Sequence, residues 1–66
     1  MSVTIDTGYR HYKNNKIYIP KFFCSIQINN EWVPAIGYIE LNKDNHNPYI
    51  RSIEEFQQKF IRVNDE

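Results

Sequence analysis

Over most of the chain the apolar positions alternate with a period of two. Tyr9-Arg10-His11-Tyr12, Ile17-Tyr18-Ile19, Phe22 to Ile28 and Trp32 to Ile39 are runs rich in β-branched and aromatic residues, which suit a pleated surface. Asn14-Asn15 and Asn29-Asn30 interrupt them. Asn tolerates the positive φ that both central positions of a type I′ turn require, so two hairpins are predicted. The polar stretch Leu41 to Pro48 reads as a loop before a short strand, Tyr49-Ile50-Arg51. Ser52 and Glu55 then have the spacing of a capping box, and Ile53, Phe56 and Phe60 share one helical face. About two helical turns ending near Lys59 are expected, followed by a last strand at Ile61-Arg62-Val63 and a frayed end.

A two-residue turn at Asn29-Asn30 sets a register in which Ile28 faces Glu31, Gln27 faces Trp32, Ile26 faces Val33, Ser25 faces Pro34 and Cys24 faces Ala35. One face then carries Phe22, Cys24, Ile26, Ile28, Val33, Ala35, Ile39 and Leu41, and this is the expected core face. The other carries Phe23, Ser25, Gln27, Trp32, Pro34, Ile36 and Tyr38. It is too apolar for a plain solvated surface and is expected to be covered by a second protomer or a ligand. The apolar phase shifts by one residue between Ile19 and Phe22, which predicts a bulge at Pro20-Lys21. Five short strands, one of them bent, with a helical turn before the last, predict a mainly β fold, a small SH3-like open barrel forming one domain over residues 1–66 with its ordered core at about 8–63.

Composition narrows the function classes. Eight Lys plus Arg balance eight Asp plus Glu, which argues against a general nucleic-acid binder, whose affinity comes from many cations on phosphates. Ten Ile stand against one Leu and one Ala, so an all-helical fold is not expected. A chain of 66 residues is marginal in stability without a staple. Cys24 is its one cysteine, so neither an internal disulfide nor a multi-Cys zinc site is available, and self-association is the expected staple. The longest unbroken apolar run, Phe22 to Cys24, is far short of the ~20 residues of a membrane span. Met1 to Asp6 has neither a basic start nor an apolar run, so no secretory signal is read there and a cytoplasmic setting is expected.

Tyr9-Arg10-His11-Tyr12-Lys13-Asn14 and Tyr49-Ile50-Arg51-Ser52-Ile53-Glu54-Glu55-Phe56 resemble an uncharacterised family of small bacterial and phage domains. Its members open with Tyr-Arg-His-Tyr/Phe-Lys-Gly and close with Trp-Val-Arg-Pro-Leu-x-x-Phe. Asn14, Tyr49 and Ser52 stand where the family has Gly, Trp and Pro. The resemblance spans Gly8 to Val63, implies a small β-rich domain and carries no activity; it draws attention to Arg10, His11, Lys13 and Arg51.

Among the polar residues, His11 has an imidazole that titrates near neutrality and could be a structural, ligand-contacting or acid/base group. Arg10 and Arg51 could grip a phosphate or carboxylate through paired donors. Lys13 and Lys16 read as solvated hairpin ends, Cys24 as an inert core thiol, and His46 as a loop residue without a ligand set for a metal. Neither a phosphate loop nor a nucleophile elbow is present. A non-enzymatic binding protein without cofactor or metal is therefore expected. It would assemble as a homo-oligomer and sequester a small anionic, nucleotide-like ligand between protomers, as a phage sponge for a host immune signal would. Tyr9, Trp32 and Tyr38 would stack on the ligand, while Arg10, His11 and Arg51 would hold its polar groups. The alternative is a protein-binding adaptor or inhibitor anchored by Phe23, Trp32, Ile36 and Tyr38.

Overall fold

A computed structural model describes residues 3–43 and 47–65. His46 and Asp44 of the polar loop lie outside the described residues. The strands are β1 (Tyr9–His11), β2 (Ile17–Ile28), β3 (Glu31–Glu40), β4 (Tyr49–Ser52) and β5 (Phe60–Arg62), with helix α1 (Ile53–Lys59) between the last two. They form one antiparallel sheet in the order β4-β3-β2-β1-β5. The outer strands β4 and β5 do not pair with each other, so the sheet is open. Among the described residues no helix is long and apolar enough to cross a membrane.

The β2–β3 ladder has the register expected from the sequence, from Ile28 opposite Glu31 back to Cys24 opposite Ala35. Asn29 and Asn30 both take positive φ, 52° and 66°, as a type I′ turn requires. The register shifts between Pro20 and Phe22, the bulge predicted there. Twelve residues of β2 at about 3.3 Å per step would span ~36 Å if straight. The longest principal extent of the molecule is 33 Å, and a bulge is where such a strand bends.

The first hairpin differs from expectation. Tyr9 pairs with Tyr18 and Arg10 with Ile17, and His11 N–H donates to Lys16 O at 3.0 Å. The connection is therefore longer than Asn14-Asn15. Only Asn15 takes positive φ there, because the Asn14 side chain closes the turn itself by accepting from Lys16 N–H at 2.8 Å, an Asx-type bond.

The two sheet faces share the burial instead of dividing as read: Ile36 and Tyr38 are buried on the side of Trp32 and Ala35 on the other, while Phe23, Ser25, Gln27, Trp32 and Pro34 are exposed. The buried hydrophobic residues are Val3, Tyr9, Tyr18, Ala35, Ile36, Tyr38, Phe56 and Phe60, and Pro20 and Gly37 are buried as well. Register places Tyr9, Tyr18, Ile36 and Tyr38 on the face that also bears Trp32, and α1 lays Phe56 across it. The face expected to be the core holds Ala35 buried, Cys24, Ile26, Val33 and Ile39 half-buried, and Phe22, Ile28 and Leu41 exposed. Period-two alternation was apolar on both sides, so the covered positions are decided by where the helix crosses. Aromatic groups from β1, α1 and β5 fill the Ile36–Tyr38 side. On the opposite side the ring of Phe22 already occupies the space over Gly37.

α1 starts where the cap predicts: Ser52 Oγ accepts from Glu55 N–H at 3.2 Å. Acidic Glu54 and Glu55 in the first turn and Lys59 in the last match the helix dipole. The chain before β1 is part of the packing as well. Val3 is buried in the core, Thr4 N–H donates to the Tyr9 hydroxyl at 3.0 Å, and Asp6 N–H donates to Pro20 O at 2.8 Å.

Candidate functional site

Five of the six residues singled out in the sequence, Tyr9, His11, Trp32, Tyr38 and Arg51, fall on the helix-bearing face of the sheet. Arg10 does not. It pairs with Ile17 and Ile61 and so belongs to the opposite face, which separates it from His11 and Arg51. Trp32 is 70% exposed near the tip of the β2–β3 hairpin. Tyr9 and Tyr38 are buried, with ring centroids 5.2 and 5.1 Å from Phe56. This corrects the expectation that they offer open stacking faces, because the helix aromatics already pack against both rings.

Around Phe60 the remaining groups converge. Phe60 stacks on Phe56 with centroids 4.1 Å apart and meets Tyr18 and Tyr38 edge-on at 5.4 and 5.2 Å. The His11 ring stands edge-on to it at 4.7 Å, and the Arg51 guanidinium lies 6.0 Å from its centroid. Arg51 Nε donates to the Tyr38 hydroxyl at 2.7 Å, and its Nη1 pairs with Glu55 one helical turn on. That pairing takes Glu55 away from the capping box the sequence predicts. Burial works to lower the Arg51 pKa, but the Tyr38 bond and the Glu55 charge outweigh it, and the guanidinium stays charged.

His11 sits in a positive field. Its Nδ1 accepts from Lys13 N–H at 3.1 Å, which places the ring proton on Nε2. Burial first, then the charges of Arg51, Lys59 and Lys13, lower its pKa from 6.5. Those cations come from β4, the end of α1 and the first hairpin. The Nδ1 lone pair of His11 is thus engaged by the hairpin backbone and Nε2 is left as its donor.

A cleft of about 800 Å³ opens beside this cluster, lined by residues including Thr4, Tyr9, Tyr12, Lys59, Phe60 and Arg62 and, among the described residues, by no acidic side chain. Tyr12 is exposed and stacked on His11 with centroids 5.5 Å apart. Its backbone N–H donates to Lys59 O at 3.1 Å, which ties the first hairpin to the end of α1. Lys59, Arg62 and Tyr12 were not singled out in the sequence. They meet because β5 pairs with β1, with Arg62 opposite Tyr9, and local periodicity says nothing about that partner. The one available signal was the polar run Gln57-Gln58-Lys59 between two buried phenylalanines.

Among the described residues no group of three or more His, Cys, Asp and Glu could hold a metal ion. Comparison of the chain with family models, curated proteins and solved structures gives no match.

Proposed function

We propose that this chain is a non-enzymatic binding domain that captures a small anionic, nucleotide-like molecule in the cleft beside Phe60. The supporting observation is charge segregation. The chain as a whole has zero formal charge, yet Lys59 and Arg62 line the cleft and no acidic side chain is among its described lining residues, and His11 and Arg51 flank the same phenylalanine. A low-dielectric wall lined by one sign of charge raises the local concentration of an oppositely charged ligand. The volume lies within the ~300–1,000 Å³ of small-molecule sites, so a chain of this size can hold such a ligand without borrowing a wall from a neighbour.

In this reading Tyr12 stacks on a base, Lys59 and Arg62 take phosphate oxygens, and His11 donates from Nε2. Arg51, anchored to Tyr38 and Glu55, adds positive potential from within. Strand order and the helical turn before the last strand fit the SH3-like frame read from the sequence, a fold that hosts many unrelated sites on its surface. Sequestration of a signalling nucleotide, as by a phage sponge, would need no chemistry, only affinity of about −12 kcal/mol for a nanomolar Kd.

Titration calorimetry with AMP, ADP and cyclic di-AMP as probes tests this proposal. Binding of any one of them, weakened about tenfold or more by Lys59→Ala and Arg62→Ala, is the expected result. Absence of heat with all three, together with no small molecule retained in native mass spectrometry, overturns it. Exposure of Trp32 and Phe23 on the helix-bearing face favours a second reading, an adaptor that docks a protein on this strip. There Trp32→Ala would abolish partner binding and leave nucleotide binding unchanged.

A further inference from the structure

Another cleft, of about 730 Å³, lies between the tip of the β2–β3 hairpin and α1. Ile28, Val33 and Pro34 line its hairpin side and Ile53 its helix side, and a carboxylate stands on each, Glu31 on β3 and Glu54 on α1. Among the described residues no Lys, Arg or His side chain lines it. We propose that this cleft binds an aliphatic polyamine, with the methylene chain on the apolar side chains and ammonium groups at Glu31 and Glu54. The proposal goes beyond the anion reading and does not rest on it. The cleft beside Phe60 carries the opposite charge and has only Gln57 in common with this one among the described lining residues.

Charge pairing singles out these two carboxylates. Elsewhere Asp6 pairs with Lys21 at 2.9 Å, Glu40 lies 3.9 Å from Lys16, and Glu55 pairs with Arg51. Among the described residues no cation pairs with Glu31 or Glu54, and both are exposed. The helix dipole accounts for an acidic residue in the first turn of α1. It does not account for Glu31, which sits in a strand opposite Ile28, where Glu is otherwise disfavoured.

The walls then choose among cations. The volume lies within the ~300–1,000 Å³ of small-molecule sites, and the absence of basic side chains among the described lining residues gives a phosphate nothing to hold. A polyamine lays hydrocarbon on apolar surface and keeps its charged heads in water, as the stem and head of a lysine do. A bare metal ion gains nothing from Ile28, Val33 and Ile53, and two carboxylates fall short of the about six to eight oxygen ligands that calcium takes.

Amide NMR of the full chain at neutral pH, titrated with spermidine, cadaverine and ethylenediamine, tests the proposal. Spermidine should bind with a Kd of about 0.1–1 mM and shift the amides of Ile28, Glu31, Val33, Ile53 and Glu54, leaving those of Tyr12 and Arg62 in place. Cadaverine should bind more tightly than ethylenediamine, because its longer methylene chain covers more apolar surface. Glu31→Gln and Glu54→Gln should each weaken spermidine about fivefold, the scale of one exposed ion pair. Glu40→Gln, outside the cleft, should leave the affinity unchanged. No amide shift with spermidine at about 10 mM overturns the proposal, as does equal affinity for cadaverine and ethylenediamine or equal weakening by Glu40→Gln. Nucleotide binding by Glu31→Gln should match that of the parent protein, so failure of the polyamine site and failure of the anion site are separate results.

Discussion

Phe22 lies with its ring directly over Gly37, its ladder partner across the β2–β3 hairpin, and a methyl group built on Gly37 would overlap three atoms of that ring. Gly37 has no positive φ, so the glycine is required by close approach and not by backbone conformation. The pair also sits where the bulge ends. Phe22 therefore fills from its own strand a hole that would otherwise invite a side chain from another element.

Gly37→Ala should force the Phe22 ring off the sheet and destabilise the domain by about 1–3 kcal/mol, the usual range for overpacking. The same substitution in a Phe22→Ala background should be much milder, since the overlapping atoms are gone. Urea unfolding of the four proteins in this cycle gives the coupling energy directly. A Gly37→Ala effect of equal size in both backgrounds would show that the glycine is needed for another reason.

Ser52 is the N-cap of α1, and its hydroxyl accepts from Glu55 N–H. Ser52→Ala should cost about 1 kcal/mol, and Ser52→Gly only a few tenths. Because Glu55 is paired with Arg51 in place of the Ser52 amide, Glu55→Gln should act mainly through that exposed pair and shift stability by under about 1 kcal/mol. Chemical denaturation midpoints of the three variants test this order.

Most local structure was legible in the sequence, the first hairpin excepted, and the division of the core between the two sheet faces was not. The Asn29-Asn30 turn, the β2–β3 register, the bulge after Pro20 and the span of α1 all follow from signals within a few residues of each other. How burial divides between the faces does not. Ile36 and Tyr38 on one side are balanced by Ile26 and Val33 on the other, and the tie is broken by Phe56 and Phe60 crossing from β4 to β5, a contact between distant segments. The candidate site divides in the same way. His11 and Arg51 were visible as polar residues among aromatics, whereas Lys59 and Arg62 join them only through the pairing of β5 with β1.

The imidazole of His11 should make stability depend on pH in a defined direction. Burial and the surrounding cations lower its pKa below 6.5, so the unfolded chain binds a proton that the folded chain resists. The contribution is fully present above pH 6.5 and is lost as pH falls through the depressed value. Urea midpoints should drop between about pH 7.5 and about pH 5.5, and His11→Gln should flatten that slope. The ligand site predicts the opposite trend for binding. A phosphate beside His11 favours the protonated ring, so affinity for the anionic probes should strengthen over the same interval and lose this pH dependence in His11→Gln.

Phe56 decides which part of the sheet is buried. It is fully buried, stacked on Phe60 and edge-on to Tyr9 and Tyr38, so it is the contact through which α1 covers the sheet. Phe56→Ala should cost about 3–5 kcal/mol, as large-to-small changes in aromatic cores do. At about 0.05–0.15 kcal/mol per residue, a chain of 66 residues has roughly 3–10 kcal/mol in total, so this variant should lose about a third of that stability or more. Phe56→Leu retains most of the volume and should remain folded with a loss of about 1–2 kcal/mol. Ile26→Ala, on the Phe22 side of the sheet, should cost no more than about 1 kcal/mol, because the half-exposed side chain has less apolar area to lose. Dispersion in amide NMR spectra and urea unfolding of the three variants at low concentration give the comparison. A Phe56→Ala protein that unfolds cooperatively near the parental midpoint, with Ile26→Ala the more damaged of the two, would show that α1 does not cover the sheet through Phe56 and would remove the basis for the cleft.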